Sequence, residues 1–157
     1  MIDWTRGLDD PLLTTAKRRC ALVAIAVCLS SAALGSPEQD YVLYCMGCHG
    51  QEAQGVPGKV PPLAHALGRF MRMPEGRNYI LRVPGAANSA LSDAQLAAVL
   101  NWLATQFNAE ELPANMRPFT TEEVASARHT PLVSVQATRR EIVRQLAATG
   151  PAPPAEY

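Results

Sequence analysis

Two cysteines three residues apart, with a histidine directly after the second, stand in Tyr44-Cys45-Met46-Gly47-Cys48-His49-Gly50. C-x-x-C-H is the attachment signature of c-type haem. Two thiols at this spacing can each form a thioether with a haem vinyl group, and the next residue delivers its imidazole beneath the iron. Cys45 and Cys48 are therefore candidates for covalent haem attachment, and His49 for proximal iron ligation. The same pair also suits a redox disulfide or half of a zinc site. A thioredoxin-like pair would need a βαβ context, which residues 37–58 do not show. A structural zinc would need a second Cys or His pair, and His65 and His129 lie too far apart to supply one locally. The motif occurs once, so one haem c is expected.

The elements that must position these residues read as short helices separated by long loops. Tyr41 lies four residues before Cys45, one turn away on the same helical face, and Pro37 marks the start of that first helix. Ser92 and Gln95 form a capping box, Leu91 and Leu96 occupy the positions of a hydrophobic staple, and Leu96, Val99, Leu100, Leu103 and Phe107 recur at helical spacing. A short helix is expected over residues 78–83. Beyond Phe107, Thr120 and Glu123 form a second capping box before a helix to about Arg128. Residues 135–147 read as an amphipathic helix through Val135, Ile142, Val143 and Leu146. Residues 150–157 read as a flexible end.

The chain has 157 residues, 48% hydrophobic and 18% charged, which suits one modest domain and excludes large catalytic scaffolds. Fourteen basic and fourteen acidic side chains leave no net charge, so nucleic acid is not an expected partner. Lys17, Arg18 and Arg19 precede an uncharged run over residues 20–34 that ends in small residues, the order of a secretory signal peptide. As a helix that run of about 15 residues spans roughly 22 Å, short of a bilayer's roughly 30 Å hydrocarbon layer, so cleavage is favoured over a permanent anchor. Cleavage after Ala33 or Gly35 would leave Cys45 and Cys48 as the remaining cysteines. The leader before Lys17 is long, and an upstream start site would account for it.

From about Glu38 to Phe107 the sequence resembles the class I c-type cytochromes. The resemblance implies an all-α, cytochrome c-like helical domain around one covalent haem, with long loops and, in this chain, extra C-terminal helices. It implies that Tyr41 packs on an aromatic of the last family helix, here Trp102. It also implies that the carbonyl of Pro61, in Val60-Pro61-Pro62-Leu63, accepts the free ring N–H of His49, although these prolines would also serve merely to stiffen a surface loop. The family places a methionine on the far side of the iron, but residues 82–91 contain none, and the expected position falls near Ala86. Met73, followed by Pro74 as in the family's ligand dipeptide, is the first candidate for the distal ligand, with Met71 next. Both would also serve as packing residues of the pocket. His65, Met116 and, as a hydrogen-bond donor to a bound molecule, Asn88 are weaker candidates.

The expected organisation is a signal peptide over residues 1–35, a cytochrome domain over 36–107 and a helical extension over 108–157. The extension reads either as a strap over the core or as an arm for a larger assembly. The expected function is periplasmic transfer of single electrons between redox proteins, the chain serving as carrier or as haem partner of a dehydrogenase rather than as an enzyme. The alternative is a five-coordinate or weakly six-coordinate haem protein that binds a small ligand, as a gas sensor or minor peroxidase. Lys59, Arg69, Arg72, Arg77 and Arg82 against Glu75 give about +4 over residues 59–82, and residues 108–124 carry about −3. The basic segment is expected to face an acidic redox partner.

Overall fold

A computed structural model describes residues 35–155. The expected signal sequence and its long leader lie outside the described residues, apart from Gly35. Eight helices occur among the described residues: α1 (Pro37–Tyr44), α2 (Met46–His49), α3 (Leu67–Phe70), α4 (Pro74–Arg82), α5 (Pro84–Ala87), α6 (Asp93–Phe107), α7 (Thr121–Ala127) and α8 (Val135–Ala147). The all-α expectation holds, and among the described residues no helix is long and apolar enough to cross a membrane.

Helix α1 begins where Ser36 caps it: the Gln39 N–H donates to Ser36 Oγ and the Gln39 side chain accepts from the Ser36 N–H, with Pro37 in the first turn. Helix α6 uses the same device through Ser92 and Gln95, and the staple residues Leu91 and Leu96 are both buried. Gln95 Nε2 also donates to the buried Asp40 carboxylate at 3.3 Å, so the α6 cap is tied to α1. Across that contact the Tyr41 ring meets Trp102 at a centroid distance of 5.4 Å and Phe107 at 6.4 Å. Helix α4 starts at Pro74, one turn earlier than the expected 78–83, because Pro74 fits the first helical turn and the extended Met73 precedes it.

Residues 108–155 share the core of the rest of the molecule. Phe119, Val124, Ala127, Ile142, Val143 and Leu146 are buried in one cluster with Tyr41, Leu81 and Leu103. Helix α7 packs on α6, and α8 packs on α3 and α4. The buried Asn108 accepts from the Gly68 N–H at 3.1 Å and donates to the Leu103 carbonyl at 3.0 Å, closing the end of α6 onto α3. Residues 151–155, expected as part of a flexible end, lie against the core, with Pro153 buried and the Pro154 carbonyl accepting from Arg139 Nη2 at 2.9 Å.

Part of the basic segment meets these same residues, while Lys59 and Arg72 stay exposed. Arg77 is buried, pairs with Glu123 at 2.7 Å, donates to the Arg117 and Pro118 carbonyls and lies 4.1 Å from the Phe119 ring centroid. Arg82 donates to the Thr130 and Pro131 carbonyls, and Arg72 to that of Glu111. Two ion pairs thus join the segments, Arg77 with Glu123 and, at 3.8 Å, Arg69 with Glu111. Glu123 also departs from its expected capping role. Thr120 Oγ1 accepts from the Glu123 N–H, but the Glu123 carboxylate turns to Arg77, a charge-assisted partner that outcompetes a backbone N–H.

Gly76 marks the tightest junction: a Cβ there would lie 2.0 Å from the Phe70 carbonyl oxygen. Gly76→Ala must separate α3 from α4, with an expected loss of about 3 kcal/mol, at the upper end for overpacking a core. Urea denaturation, with the midpoint lowered at unchanged slope, checks this.

Candidate functional site

The motif forms a single turn of helix. The His49 N–H bonds to the Cys45 carbonyl at 3.0 Å, and the chain leaves α2 through Gly50 at φ +79°, in the left-handed region that favours glycine. The Tyr41 hydroxyl donates to the Gly50 carbonyl, fixing the end of this turn to α1. Gly55 then donates to the His49 carbonyl at 2.7 Å, and the Val56 N–H donates to the Val60 carbonyl at 2.9 Å. A Cβ on Gly55 would lie 2.4 Å from that same carbonyl, so only glycine lets the loop fold back this closely.

The fold-back brings the Pro61 carbonyl 3.0 Å from His49 Nδ1. A carbonyl only accepts, so Nδ1 carries the proton and Nε2 keeps the lone pair that a metal needs. Burial pulls the His49 pKa below its ordinary value, with the Pro61 carbonyl opposing, a shift that favours the neutral, ligating form of the imidazole. Burial, helped by the Asp40 and Cys48 charges, pushes the Cys45 thiol up to about 11. Cys48 is exposed at the cavity mouth.

Cys45, Cys48 and His49 line a cavity of about 300 Å³. Pro61, Leu63, Leu67 and Phe70 continue its wall, followed by Tyr79, Ile80 and the segment from Val83 to Ala86. Leu96, Val99, Leu100 and Leu103 of α6 line it as well, and α8 contributes Val135 and Arg139. Two thiols, a neutral imidazole, an apolar wall and the cations Lys59 and Arg139 fit a covalently held porphyrin with an iron centre and carboxylate substituents. Among the described residues no group of three or more His, Cys, Asp or Glu is arranged to hold a bare metal ion.

The remaining candidates lie elsewhere. Met73 is half-buried at the start of α4 and Met71 is buried in the core, and neither lines the cavity. His65, with φ +56°, directs Nδ1 to Glu111 at 2.9 Å. Asn88 is exposed at the end of α5, and Met116 packs against the core from the extension. Ala86 lines the cavity. Val135 and Arg139 were not singled out for the site from sequence. Their i, i+4 spacing on the amphipathic stripe of α8 is the signal that places them on its inward face.

No family model matches this chain. It is 34% identical over 110 aligned residues to cytochrome c-552 of Thermus thermophilus, an alignment that covers 59% of this chain and 84% of the relative. The same identity and length relate it to a second cytochrome c-552 from a named strain of the same organism, of which 74% is covered.

Proposed function

The chain belongs to the c-type cytochromes, and from that membership we propose that it is exported and passes single electrons between periplasmic redox proteins, as a carrier or as the haem partner of a dehydrogenase. The observation that carries the reading is the preassembled proximal side: Cys45 and Cys48 on one wall, with His49 held by Pro61 in its ligating tautomer. Covalent haem c supplies one-electron chemistry through its iron. In this proposal Cys45 and Cys48 would hold the haem covalently and His49 would ligate its iron, while the Pro61 carbonyl orients the imidazole and raises its basicity. The walls from α3, α4, α6 and α8 exclude water and so tune the potential. Electrons would enter and leave at the mouth, where Cys48 and Tyr44 are exposed; Leu43, the neighbour of Tyr44 in α1, is 72% exposed. An exposed apolar rim of this kind suits brief docking with redox proteins.

The test is expression of the full chain in a bacterial host that attaches haem outside the cytoplasm. The expected product lacks the first 33 or 35 residues, carries one haem that acidic acetone does not extract, and is reversibly reduced and reoxidised by a second redox protein. A soluble periplasmic product without covalent haem would overturn the reading. Cys48→Ala is expected to leave at most one thioether and to lower haem yield sharply, which the same extraction measures.

A further inference from the structure

We infer that haem held in this cavity would keep one iron coordination position free of this protein's side chains, a preformed site for a small neutral diatomic ligand such as carbon monoxide, nitric oxide or dioxygen. The inference rests on the covalent haem of the proposed function.

The loop from which the resemblance expects a ligand offers Pro84, Gly85, Ala86 and Ser89 to the cavity, none with a sulfur or imidazole donor. Met73 does not line that cavity and packs against the core cluster instead. The Met73 N–H reaches back to the Phe70 carbonyl, its own carbonyl accepts from the Arg77 N–H at 3.1 Å, and the contact of Gly76 with Phe70 locks this junction. Among the other donors of the wall, Lys59 stands beside Val60 and Pro61 on the loop that serves His49. Tyr79 is stacked on Phe70 at a centroid distance of 5.3 Å. Arg139 is engaged by the Pro154 carbonyl, and a guanidinium, always protonated, does not ligate iron.

The loop is nevertheless fixed, and by the extension. Arg128, 5% exposed at the end of α7, donates to the Leu91 carbonyl at 2.8 Å, to the Ser89 carbonyl at 2.8 Å and to Asp93 Oδ1 at 2.9 Å. Longer contacts reach the Ala87 and Ala86 carbonyls at 3.4 and 3.5 Å. A bond from loop to iron would anchor this segment from inside the cavity; here a guanidinium anchors it from outside. Ala86 is thereby kept in the wall as a small apolar group, and Val83, Leu96 and Val99 continue that surface. Such a wall admits an uncharged ligand and disfavours an anion, whose charge would be buried without compensation.

Titration of the dithionite-reduced, haem-loaded full-length mature protein with carbon monoxide, followed by visible absorption, tests the inference. A saturable one-to-one shift of the Soret band is expected, and the same shift in Met73→Ala and Met71→Ala. Covalent haem that cycles between oxidation states but shows no shift under one atmosphere of carbon monoxide would overturn it. Absence of covalent haem would instead overturn the reading beneath it. Arg128→Gln is expected to change carbon monoxide rebinding after photolysis several-fold. It should also speed amide exchange over residues 85–91 on the order of a hundredfold, as loss of a buried, hydrogen-bonded ion pair does. Arg128→Lys should fall between the two. Should Arg128→Gln not fold, Asp93→Asn serves as the second variant, with the same direction and a smaller effect. Wild-type rebinding and exchange in a folded variant would overturn the anchoring role.

Discussion

A chain that stops after Phe107 is expected to be insoluble or largely unfolded at 25 °C, although it keeps the whole span that resembles a class I cytochrome. The truncation removes Phe119, Val124, Ala127, Ile142, Val143 and Leu146 from the shared cluster. At about 1.5–3 kcal/mol for each large apolar side chain, their burial is worth on the order of 10 kcal/mol, comparable with the whole stability of an ordinary domain. The segment's own ordering entropy disappears with it, but the damage to what remains does not. Leu81, Leu103 and Tyr79 lose their cover, and Asn101 loses both hydrogen bonds to the Phe119 backbone. Arg77 is left without Glu123 and two carbonyl acceptors. Circular dichroism and sedimentation of the truncated chain check this. A soluble, helical product with haem would make residues 108–155 a detachable arm instead.

Arg77→Ala is expected to cost about 3–5 kcal/mol, the usual penalty for breaking a buried ion pair by removing one partner. The guanidinium meets Glu123 through two hydrogen bonds at 2.7 and 2.9 Å, and its side chain is only 8% exposed. Glu123→Gln keeps a hydrogen-bonding group against Arg77 and should cost less, about 1–3 kcal/mol. Thermal or urea unfolding of both variants and of the double mutant isolates the pairwise part. The contribution should change little with added salt, because buried pairs are weakly screened. The Glu141–Arg144 pair on α8 provides the contrast, with side chains 51% and 72% exposed. Hydrogen bonds from Arg144 and Gln145 hold the Glu141 carboxyl at about 2, below its ordinary 4.5. Its small contribution is therefore full above pH 4.5 and is lost as the pH falls toward 2, and salt weakens it.

Local chemistry is legible in the sequence wherever cause and consequence lie a few residues apart. The Ser92–Gln95 cap, the Leu91–Leu96 pair, the start of α1 at Pro37 and the limits of α8 all follow from spacing. The pairing of Tyr41 with Trp102 follows from resemblance, and the two rings meet as expected, with Phe107 as an additional neighbour. The arginines are harder to read because charge balance does not name a partner. Arg77 and Arg82 bond to residues 40–49 positions away, and such separations leave no periodic trace. The same distance hides Arg139, whose place in the cavity wall depends on how α8 docks against α3 and α4. The extension reads as sparse in apolar residues, yet Phe119, Val124, Ile142, Val143 and Leu146 are all buried in the shared cluster, and that use is a property of packing.

If the chain is exported and loaded with haem as proposed, the placement of Val135 and Arg139 in the wall also sets an order of events in its biogenesis. The stretch of polypeptide carrying Cys45, Cys48 and His49 leaves the export channel well before α8 does. Until α8 arrives, the side of the cavity it will close is open, and both thiols are reachable by the machinery that joins them to the porphyrin. Under that proposal, docking of the last long helix would close the cavity over a haem already attached, and the segment that does no chemistry of its own would come last.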